Sequence, residues 1–225
     1  MKKKFETWDE CMALREVRTL RRLNHPSVVK LKEVIRVQND LYLVFEYMKG
    51  TVLDLIKETK RFRGDNGIPV ETVRDIMKQC LQGIDYFHGK GYFHRDLKPE
   101  NLLYSDGKLK ICDFGLSKES YLKNLPCTNY VSTRWYRSPE IILRQRFYDE
   151  KVDIWAMGCI LAELFTGNPL LPGQSETDML MRLSKLIGNI PSTWEKGFEV
   201  AKKTGVNFMP GSPVDPSIEQ ILQLL

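Results

Sequence analysis

The spacing of apolar residues near the start of the chain changes from a helical to a strand-like pattern. Four apolar residues recur every three positions and predict a helix over residues 9–23, with Asp9 available as its N-cap. They are Leu14, Val17, Leu20 and Leu23. Two β-prone runs follow, at 28–37 and 41–47, with turn residues at 38–40 between them, and they predict paired strands. The second run is nearly all apolar, so we expect it to be buried on both faces.

The longest apolar stripe of helical period predicts a helix over residues 70–88. Its members are Val73, Ile76, Met77, Cys80, Leu81, Ile84 and Phe87. Short strands are predicted at 102–104 and 109–112, on either side of a Ser-Asp-Gly turn. An almost wholly apolar helix over 153–164 and an amphipathic helix over 177–187 follow.

These elements predict an α+β fold in two unequal parts. The change from strands to helices falls at residues 48–51, which we interpret as a hinge between a small part, 1–48, and a larger, mostly helical part, 49–225. The stretch 188–216 is rich in Gly and Pro, so we expect it to be irregular.

Composition narrows the class of protein. The 225 residues are 42% hydrophobic and 28% charged, as in ordinary globular domains. The net charge of +5 is modest and its basic runs contain no interleaved aromatic residues, so we do not expect nucleic-acid binding. Five cysteines without C-x-x-C or zinc-like spacing predict reduced thiols in a cytoplasmic or nuclear protein. The longest apolar stretch, 154–165, is too short for a membrane span and contains Glu163.

Chemically suggestive residues are concentrated in three segments. They are His94-Arg95-Asp96-Leu97-Lys98-Pro99-Glu100-Asn101, Asp113-Phe114-Gly115 and Ser138-Pro139-Glu140. An isolated His-Arg-Asp triplet would be no more than a turn capped by its aspartate. Asn101 and Asp113 in register with Asp96 instead supply one base and two oxygen ligands. Phosphoryl transfer from ATP depends on such positioning and on charge neutralisation around Mg²⁺, so the pattern predicts that reaction.

Each of these residues has a predicted role. Asp96 would accept the proton of an incoming hydroxyl, and Asn101 and Asp113 would bind Mg²⁺ through their side-chain oxygens. Lys98 would neutralise the transferred phosphate, although a solvent-exposed lysine is the alternative. We expect Gly115 to adopt a positive φ, which would let the backbone turn sharply after Asp113.

Two residues near this region allow a structural or a sharper interpretation. His94 is expected to pack its loop rather than to act as an acid or a base. Asp153 opens the apolar helix, so it is either a simple N-cap or a buried carboxylate that holds the catalytic loop.

The polar segment 117–137 contains hydroxyl-bearing and basic residues. Thr128 and Tyr130, with Arg95, Arg134 and Arg137 nearby, predict a switch in which phosphorylation orders the loop through arginine contacts. An unmodified surface loop is the alternative.

At this point the residues resemble a family, the eukaryotic Ser/Thr protein kinases, over nearly the whole chain. Residues 96–101 have the Ser/Thr form of the catalytic loop. Four further segments resemble the MAK/ICK/MOK (RCK) subfamily of the CMGC group. They are Trp8-Asp9-Glu10-Cys11-Met12, Leu14-Arg15-Glu16-Val17, Leu23-Asn24-His25 and Thr133-Arg134-Trp135-Tyr136-Arg137. The Thr128–Tyr130 pair is similar to the dual phosphorylation site of that subfamily, although Asn129 stands where aspartate is common, and Ser138 where alanine is usual.

The resemblance implies a kinase fold with a partial N-lobe (helix C and two strands) and a mostly helical C-lobe. It also implies an ATP site in which Phe45 is the gatekeeper and Glu46, Tyr47 and Met48 form the adenine-binding hinge. Leu103 would lie under the adenine and Asp113 near the phosphates. Glu16 would hold a strand lysine on the phosphates, with a surface glutamate as the alternative. Arg95, Gly115, Arg134, Arg137, Glu140 and Asp153 would have structural roles.

The same resemblance places the glycine-rich loop and its lysine before Met1, and the arginine that pairs with Glu140 after Leu225. We therefore expect the sequence to be truncated at both ends. The leading hypothesis is an ATP- and Mg²⁺-dependent Ser/Thr kinase that phosphorylates proteins and is activated by an upstream kinase. The alternative is a catalytically inactive fragment or pseudokinase that acts as a binding module.

Overall fold

The structure, a computed structural model, describes residues 4–64, 67–119, 133–145, 147–187 and 199. Its helices are α1 (Trp8–Ala13), α2 (Arg15–Arg22), α3 (Val52–Arg63), α4 (Val70–Gly89), α5 (Pro139–Ile142), α6 (Lys151–Thr166) and α7 (Glu176–Ile187). Its strands are β1 (Leu31–Val37), β2 (Asp40–Phe45), β3 (Gly50–Thr51), β4 (Tyr92–Phe93), β5 (Leu102–Ser105), β6 (Lys108–Ile111) and β7 (Lys118–Glu119). Short 3-10 helices occupy Pro99–Asn101 and Phe114–Leu116.

The strands form three small antiparallel sheets, which pair as β1–β2, β3–β5–β6 and β4–β7. An isolated bridge between Val28 and Ile111 connects the segment before β1 to strand β6. The chain segment between α2 and β1 is therefore attached to the sheet that leads to the candidate site.

The predicted helix over residues 9–23 is divided in two. Leu14 has φ −56° and ψ 131°, which is not a helical conformation, so α1 ends before it and α2 begins after it. The N-cap is Thr7 and not Asp9, because the Thr7 hydroxyl accepts a hydrogen bond from the Glu10 amide at 3.2 Å. Periodicity missed the break because the apolar spacing continues across it.

The predicted β1–β2 hairpin is present, with Gln38 at φ 54° in its turn. The expected burial of the second strand on both faces is wrong. Leu41 is 1% exposed, whereas Tyr42 is 53% exposed. Leu41 packs with Phe5, Cys11 and Val17 in a small second core on one face. An apolar run can thus belong to a half-exposed strand.

The helical predictions for the rest of the chain are confirmed. Helix α4 buries most of the predicted stripe, but its predicted member Leu81 is 44% exposed. Helices α6 and α7 extend the predicted helices by a few residues at most. Helix α3, which was not predicted with bounds, begins with a capping box between Thr51 and Asp54. The predicted irregular stretch 188–216 lies outside the described residues, apart from Glu199, and the division at residue 48 stays a prediction.

The main core joins α4 and α6 to strands β5 and β6 and to residues from α2 and the segment after it. Its largest buried side chains include Phe87, Phe114, Ile76, Ile160 and Met157. Within the described ranges, no helix combines the length and apolar character that a membrane span requires. The core places the loop after β4 directly against α6, where the candidate site lies.

Candidate active site

The loop between β4 and β5 brings together the three residues predicted to be catalytic. Asp96 is 8% exposed. The Lys98 ammonium donates a hydrogen bond to Asp96 Oδ2 at 2.8 Å. Asn101 Nδ2 donates to the Asp96 carbonyl at 2.9 Å and to Asp96 Oδ2 at 3.3 Å. The carboxylate is therefore held in one orientation by an adjacent cation and an amide.

Asp113 lies two residues after strand β6, next to a residue that is hydrogen-bonded to Asn101. The amide of Cys112 donates a hydrogen bond to the Asn101 carbonyl at 3.0 Å, which ties the residue before Asp113 to the catalytic loop. Asp113 has φ 64° and ψ 70°, a left-handed conformation that aspartate tolerates better than most residues. The expectation for Gly115 is wrong, because Gly115 is not among the residues with positive φ. The sharp turn occurs at Asp113 itself.

The oxygen atoms in this region suit Mg²⁺. Because Asn101 uses its amide nitrogen on Asp96, its amide oxygen is left as an acceptor. In the described part of the chain, no group of three or more His, Cys, Asp or Glu residues could hold a metal. Mg²⁺ in nucleotide sites commonly takes one or two carboxylates together with phosphate oxygens. One carboxylate and one amide oxygen fit that ligand set.

The Asp153 carboxylate lies beneath the catalytic loop and is 1% exposed. It accepts hydrogen bonds from the backbone amides of His94 at 2.7 Å and Arg95 at 2.8 Å. His88 Nε2 lies 2.8 Å from the same carboxylate. The N-cap of α6 is Glu150, so Asp153 is the buried carboxylate of the two interpretations and not a cap. His88 was not identified from the sequence.

His94 and Phe114 pack the loop from the inside. His94 is fully buried, and its ring contacts Phe114 edge-on with centroids 5.2 Å apart. Since a carbonyl only accepts, His94 Nε2 donates to the Cys112 carbonyl at 2.9 Å, while Nδ1 accepts from the Asp96 amide at 3.3 Å. Both ring nitrogens are thus engaged in holding the backbone, as expected for a structural histidine.

Arg95 adopts an unusual backbone conformation, with φ 75°. Its Nε and Nη2 donate to the Tyr148 hydroxyl at 3.0 and 2.8 Å, and its Nη1 donates to the Leu116 carbonyl at 3.2 Å. Tyr148 was missed by sequence analysis, because an aromatic residue outside a motif gives no signal. The contact fixes the arginine that we predicted to take part in a phosphate switch.

Glu16 on α2 lies beside the Asp113–Gly115 turn. A Cβ atom added at Gly115 would be 3.4 Å from Asp113 Oδ1 and 3.8 Å from Glu16 Oε2. Burial raises the pKa of Glu16, and the negative charge of Asp113 raises it further. Two carboxylates that face the same space favour the nucleotide-site interpretation of Glu16 over a surface glutamate.

The residues predicted to surround the adenine lie at the end of β2, between β2 and β3, and on β5, and their exposures differ. Phe45 is half-buried and packs against the main core, as does Leu103. Met48 is half-buried, whereas the Tyr47 side chain is 84% exposed. The Glu46 side chain pairs with Lys110 at 2.9 Å and the Glu46 amide donates to the Lys30 carbonyl at 3.1 Å, so its backbone carbonyl remains for contact with a base.

The segment that precedes α5 contacts the chain just before α7. Arg134 Nη1 donates to the Gln174 carbonyl at 2.7 Å, and Arg137 is 9% exposed. Burial raises the pKa of Glu140, the first acidic residue of α5. The predicted phosphorylation sites Thr128 and Tyr130 lie outside the described residues.

Glu163 is a further buried acidic residue, and its partner was not predicted from the sequence. The Tyr136 hydroxyl donates a hydrogen bond to Glu163 Oε2 at 2.7 Å, and Glu163 is 2% exposed. Burial raises the pKa of Glu163, the Tyr136 hydrogen bond lowers it, and the charge of Glu100 raises it, with a net increase. Within a helix that reads as wholly apolar, a single glutamate gives no indication of its partner.

These features match a known class of enzyme. The protein kinase domain family matches residues 1–222, so the chain belongs to that family. Its members generally use ATP and Mg²⁺ and phosphorylate proteins, and the kinase-like α+β fold agrees with this assignment.

Several curated relatives are similar to the chain. It is 47% identical over 214 residues to "Cyclin-dependent kinase F-3" of Oryza sativa subsp. japonica, with 95% of the chain and 48% of that protein covered. It is 48% identical over 211 residues to "Serine/threonine-protein kinase ICK" of Mus musculus, with 93% and 32% covered. It is 46% identical over 217 residues to "Serine/threonine-protein kinase MAK" of the same species, with 96% and 34% covered. The predicted resemblance to MAK-like kinases is confirmed. The chain spans about a third to about a half of the length of these relatives.

Proposed function

We propose that the protein to which this chain belongs is an ATP- and Mg²⁺-dependent protein kinase that phosphorylates Ser and Thr. The observation that carries the proposal is the Asp96 carboxylate, held by Lys98 and Asn101 in a loop anchored on Asp153. The names of the relatives, which are Ser/Thr kinases, support the same activity and do not favour the inactive binding module.

In the proposed reaction, Asp96 orients the substrate hydroxyl and accepts its proton as the oxygen bonds to the γ-phosphorus. The bond between the γ-phosphorus and the β,γ-bridging oxygen breaks, and ADP leaves. Lys98, next to Asp96, places positive charge beside the transferred group. Asn101 and Asp113 would hold Mg²⁺, which supplies positive charge at the phosphate oxygens.

Regulation by phosphorylation belongs to the same proposal. An upstream kinase would modify Thr128 and Tyr130, and the new phosphate would be bound by arginines such as Arg95, which already lies within the catalytic loop. A cytoplasmic or nuclear location is supported by the free thiols of Cys11, Cys80, Cys112 and Cys159.

The test is an Asp96→Asn variant of the full-length protein, assayed for transfer of the γ-phosphate to Ser and Thr of a protein substrate. The change keeps the shape of the side chain but removes the base, so we expect kcat to fall by about 10²–10⁴-fold. Asp106→Asn is a matched control, since Asp106 lies in the exposed β5–β6 turn and pairs with exposed Lys49. Equal transfer by wild type and Asp96→Asn would reject the mechanism, and absence of transfer by wild type would favour the binding module.

A further inference from the structure

The Glu46 side chain connects the predicted hinge to strand β6. Glu46 Oε1 accepts a hydrogen bond from the backbone amide of Lys30 at 2.8 Å and lies 2.9 Å from Lys110 Nζ. The Glu46 amide donates in turn to the Lys30 carbonyl at 3.1 Å. Lys110 stands on β6, shortly before Asp113. The Glu46–Lys110 ion pair therefore joins the hinge to the strand that delivers a candidate metal ligand.

Lys110 also holds the segment between α2 and β1. Its ammonium group donates to the Pro26 carbonyl at 2.9 Å. The neighbouring residue Ile111 donates its amide to the Ser27 carbonyl at 2.8 Å and accepts from the Val29 amide at 2.9 Å. One lysine side chain thus completes a hydrogen-bonded junction between the hinge, this segment and β6.

The Glu46–Lys110 ion pair is partly shielded from water. The Lys110 and Glu46 side chains are 15% and 23% exposed, whereas those of the Lys49–Asp106 pair are 68% and 70% exposed. Exposed pairs contribute little to structure, whereas a shielded pair with further hydrogen bonds has a defined geometry. Desolvation raises the pKa of Glu46, but the Lys110 hydrogen bond and charge, with the Lys30 amide, produce a net decrease. Glu46 is therefore stabilised as an anion at the junction.

We propose that Lys110 is a positioning residue for the nucleotide, because its ion pair with Glu46 fixes the hinge backbone from Glu46 to Met48 relative to β6 and Leu103. The inference rests on the proposed kinase function. Without Lys110, the partly buried Glu46 carboxylate lacks its cation and turns towards water, which releases the hinge. The hinge backbone would bind the base and not the reacting atoms, so the loss falls on ATP affinity and not on phosphoryl transfer.

The experiment compares Lys110→Met and Lys110→Arg in the full-length protein. The Kd for ATP with Mg²⁺ is measured by calorimetry, and kcat and KM for ATP are measured with a protein substrate. We expect Lys110→Met to raise Kd and KM for ATP about threefold to tenfold, with kcat changed by less than about twofold. Lys110→Arg keeps the charge and the donors, so it should bind ATP nearly as tightly as wild type.

Lys108→Met is the matched control, because Lys108 lies on the same strand and is exposed. It removes the same charge, so equal weakening by Lys108→Met would overturn the inference in favour of a long-range charge effect. Unchanged or tighter ATP binding by Lys110→Met, or a lowered kcat with unchanged Kd, would also overturn it. If Lys110→Met does not fold, Glu46→Gln, which removes only the charge, is compared instead with the same expected rise in Kd.

The two proposals can fail separately. A wild-type protein that binds no ATP would refute the proposed function. Wild-type binding and transfer that persist unchanged in Lys110→Met would refute only the role of Lys110. Support requires wild-type activity, weakened binding in Lys110→Met, recovery in Lys110→Arg, and a Glu46→Gln/Lys110→Met double variant that loses no more affinity than Lys110→Met alone.

Discussion

Replacing Asp153 by asparagine tests what anchors the candidate catalytic loop. One Asp153 carboxylate oxygen accepts hydrogen bonds from the His94 amide at 2.7 Å and from His88 Nε2 at 2.8 Å. The other oxygen accepts a hydrogen bond from the Arg95 amide at 2.8 Å. Asparagine offers one acceptor oxygen and one NH₂ group. In either orientation, at least one of these buried donors therefore faces another donor.

The loss of stability in Asp153→Asn follows from the number of hydrogen-bond donors that lose their acceptor. In the less costly orientation only the Arg95 amide is unsatisfied, at about 1–3 kcal/mol, and the remaining hydrogen bonds lose a charged acceptor, at about 1 kcal/mol each. We expect Asp153→Asn to lower the free energy of unfolding by about 3–5 kcal/mol. That is a large part of the stability of a typical domain, about 5–15 kcal/mol. Tm should fall by about 6–20 °C.

Thermal and urea unfolding followed by circular dichroism would measure this loss. Glu150→Gln is the control, because Glu150 occupies the N-cap of the same helix without a capping hydrogen bond from its side chain. Its stability should lie within about 0.5 kcal/mol of wild type. The same result for Asp153→Asn would refute the reasoning, since it would show that the loop amides do not depend on the carboxylate. Phosphate transfer by the folded fraction should also fall, because Asp96 directly follows the anchored amides.

Three further substitutions probe the packing around the site. Glu163→Gln keeps an acceptor for the Tyr136 hydroxyl but removes a buried charge. Because the pKa of Glu163 is raised in the folded protein, its carboxyl destabilises the fold as it ionises with rising pH. The variant should therefore have a higher Tm than wild type at pH 7 and a similar Tm in acid. A difference in Tm that does not depend on pH would contradict this. Gly83→Ala should cost about 1–3 kcal/mol in urea unfolding, because its Cβ would lie 3.0 Å from Ser27 Cβ. At Gly158 an added Cβ would have no atom within 4 Å apart from its own helix backbone, so Gly158→Ala should stabilise α6 by up to about 1 kcal/mol. Equal effects at the two glycines would rule out the packing explanation.

Local patterns predicted the elements that depend on local chemistry. The apolar stripe was sufficient to predict helix α4, because few other structures place residues of that spacing on one face. The break at Leu14 was not predictable, since the apolar spacing on both sides continues through it. The second strand was predicted but its burial was not, because burial depends on what covers each face. In the described part of the chain, only one face of that hairpin has a buried core of its own.

The residues of the candidate site were likewise predicted only in part. The spacing of Asp96, Asn101 and Asp113 was informative, because their roles require a fixed order over a short distance. Lys110 and Tyr148 were missed, because each acts through a partner far away in sequence, and such pairs have no characteristic spacing. The Arg95–Tyr148 contact, for example, spans 53 positions.

The backbone conformations of the site explain why such distant partners are needed. Arg95 at φ 75° and Asp113 at φ 64° both occupy a region that non-glycine residues adopt at a cost of about 1–3 kcal/mol. Within the motif, His94 holds the Asp96 amide and the Cys112 carbonyl, but the Arg95 amide has its acceptor outside the motif. The Asp153 carboxylate accepts a hydrogen bond from the Arg95 amide, and the hydrogen bond from Cys112 to Asn101 holds the residue before Asp113. The motifs therefore specify the reacting groups and part of their backbone support, whereas the strained residue Arg95 also depends on Asp153, which lies outside them.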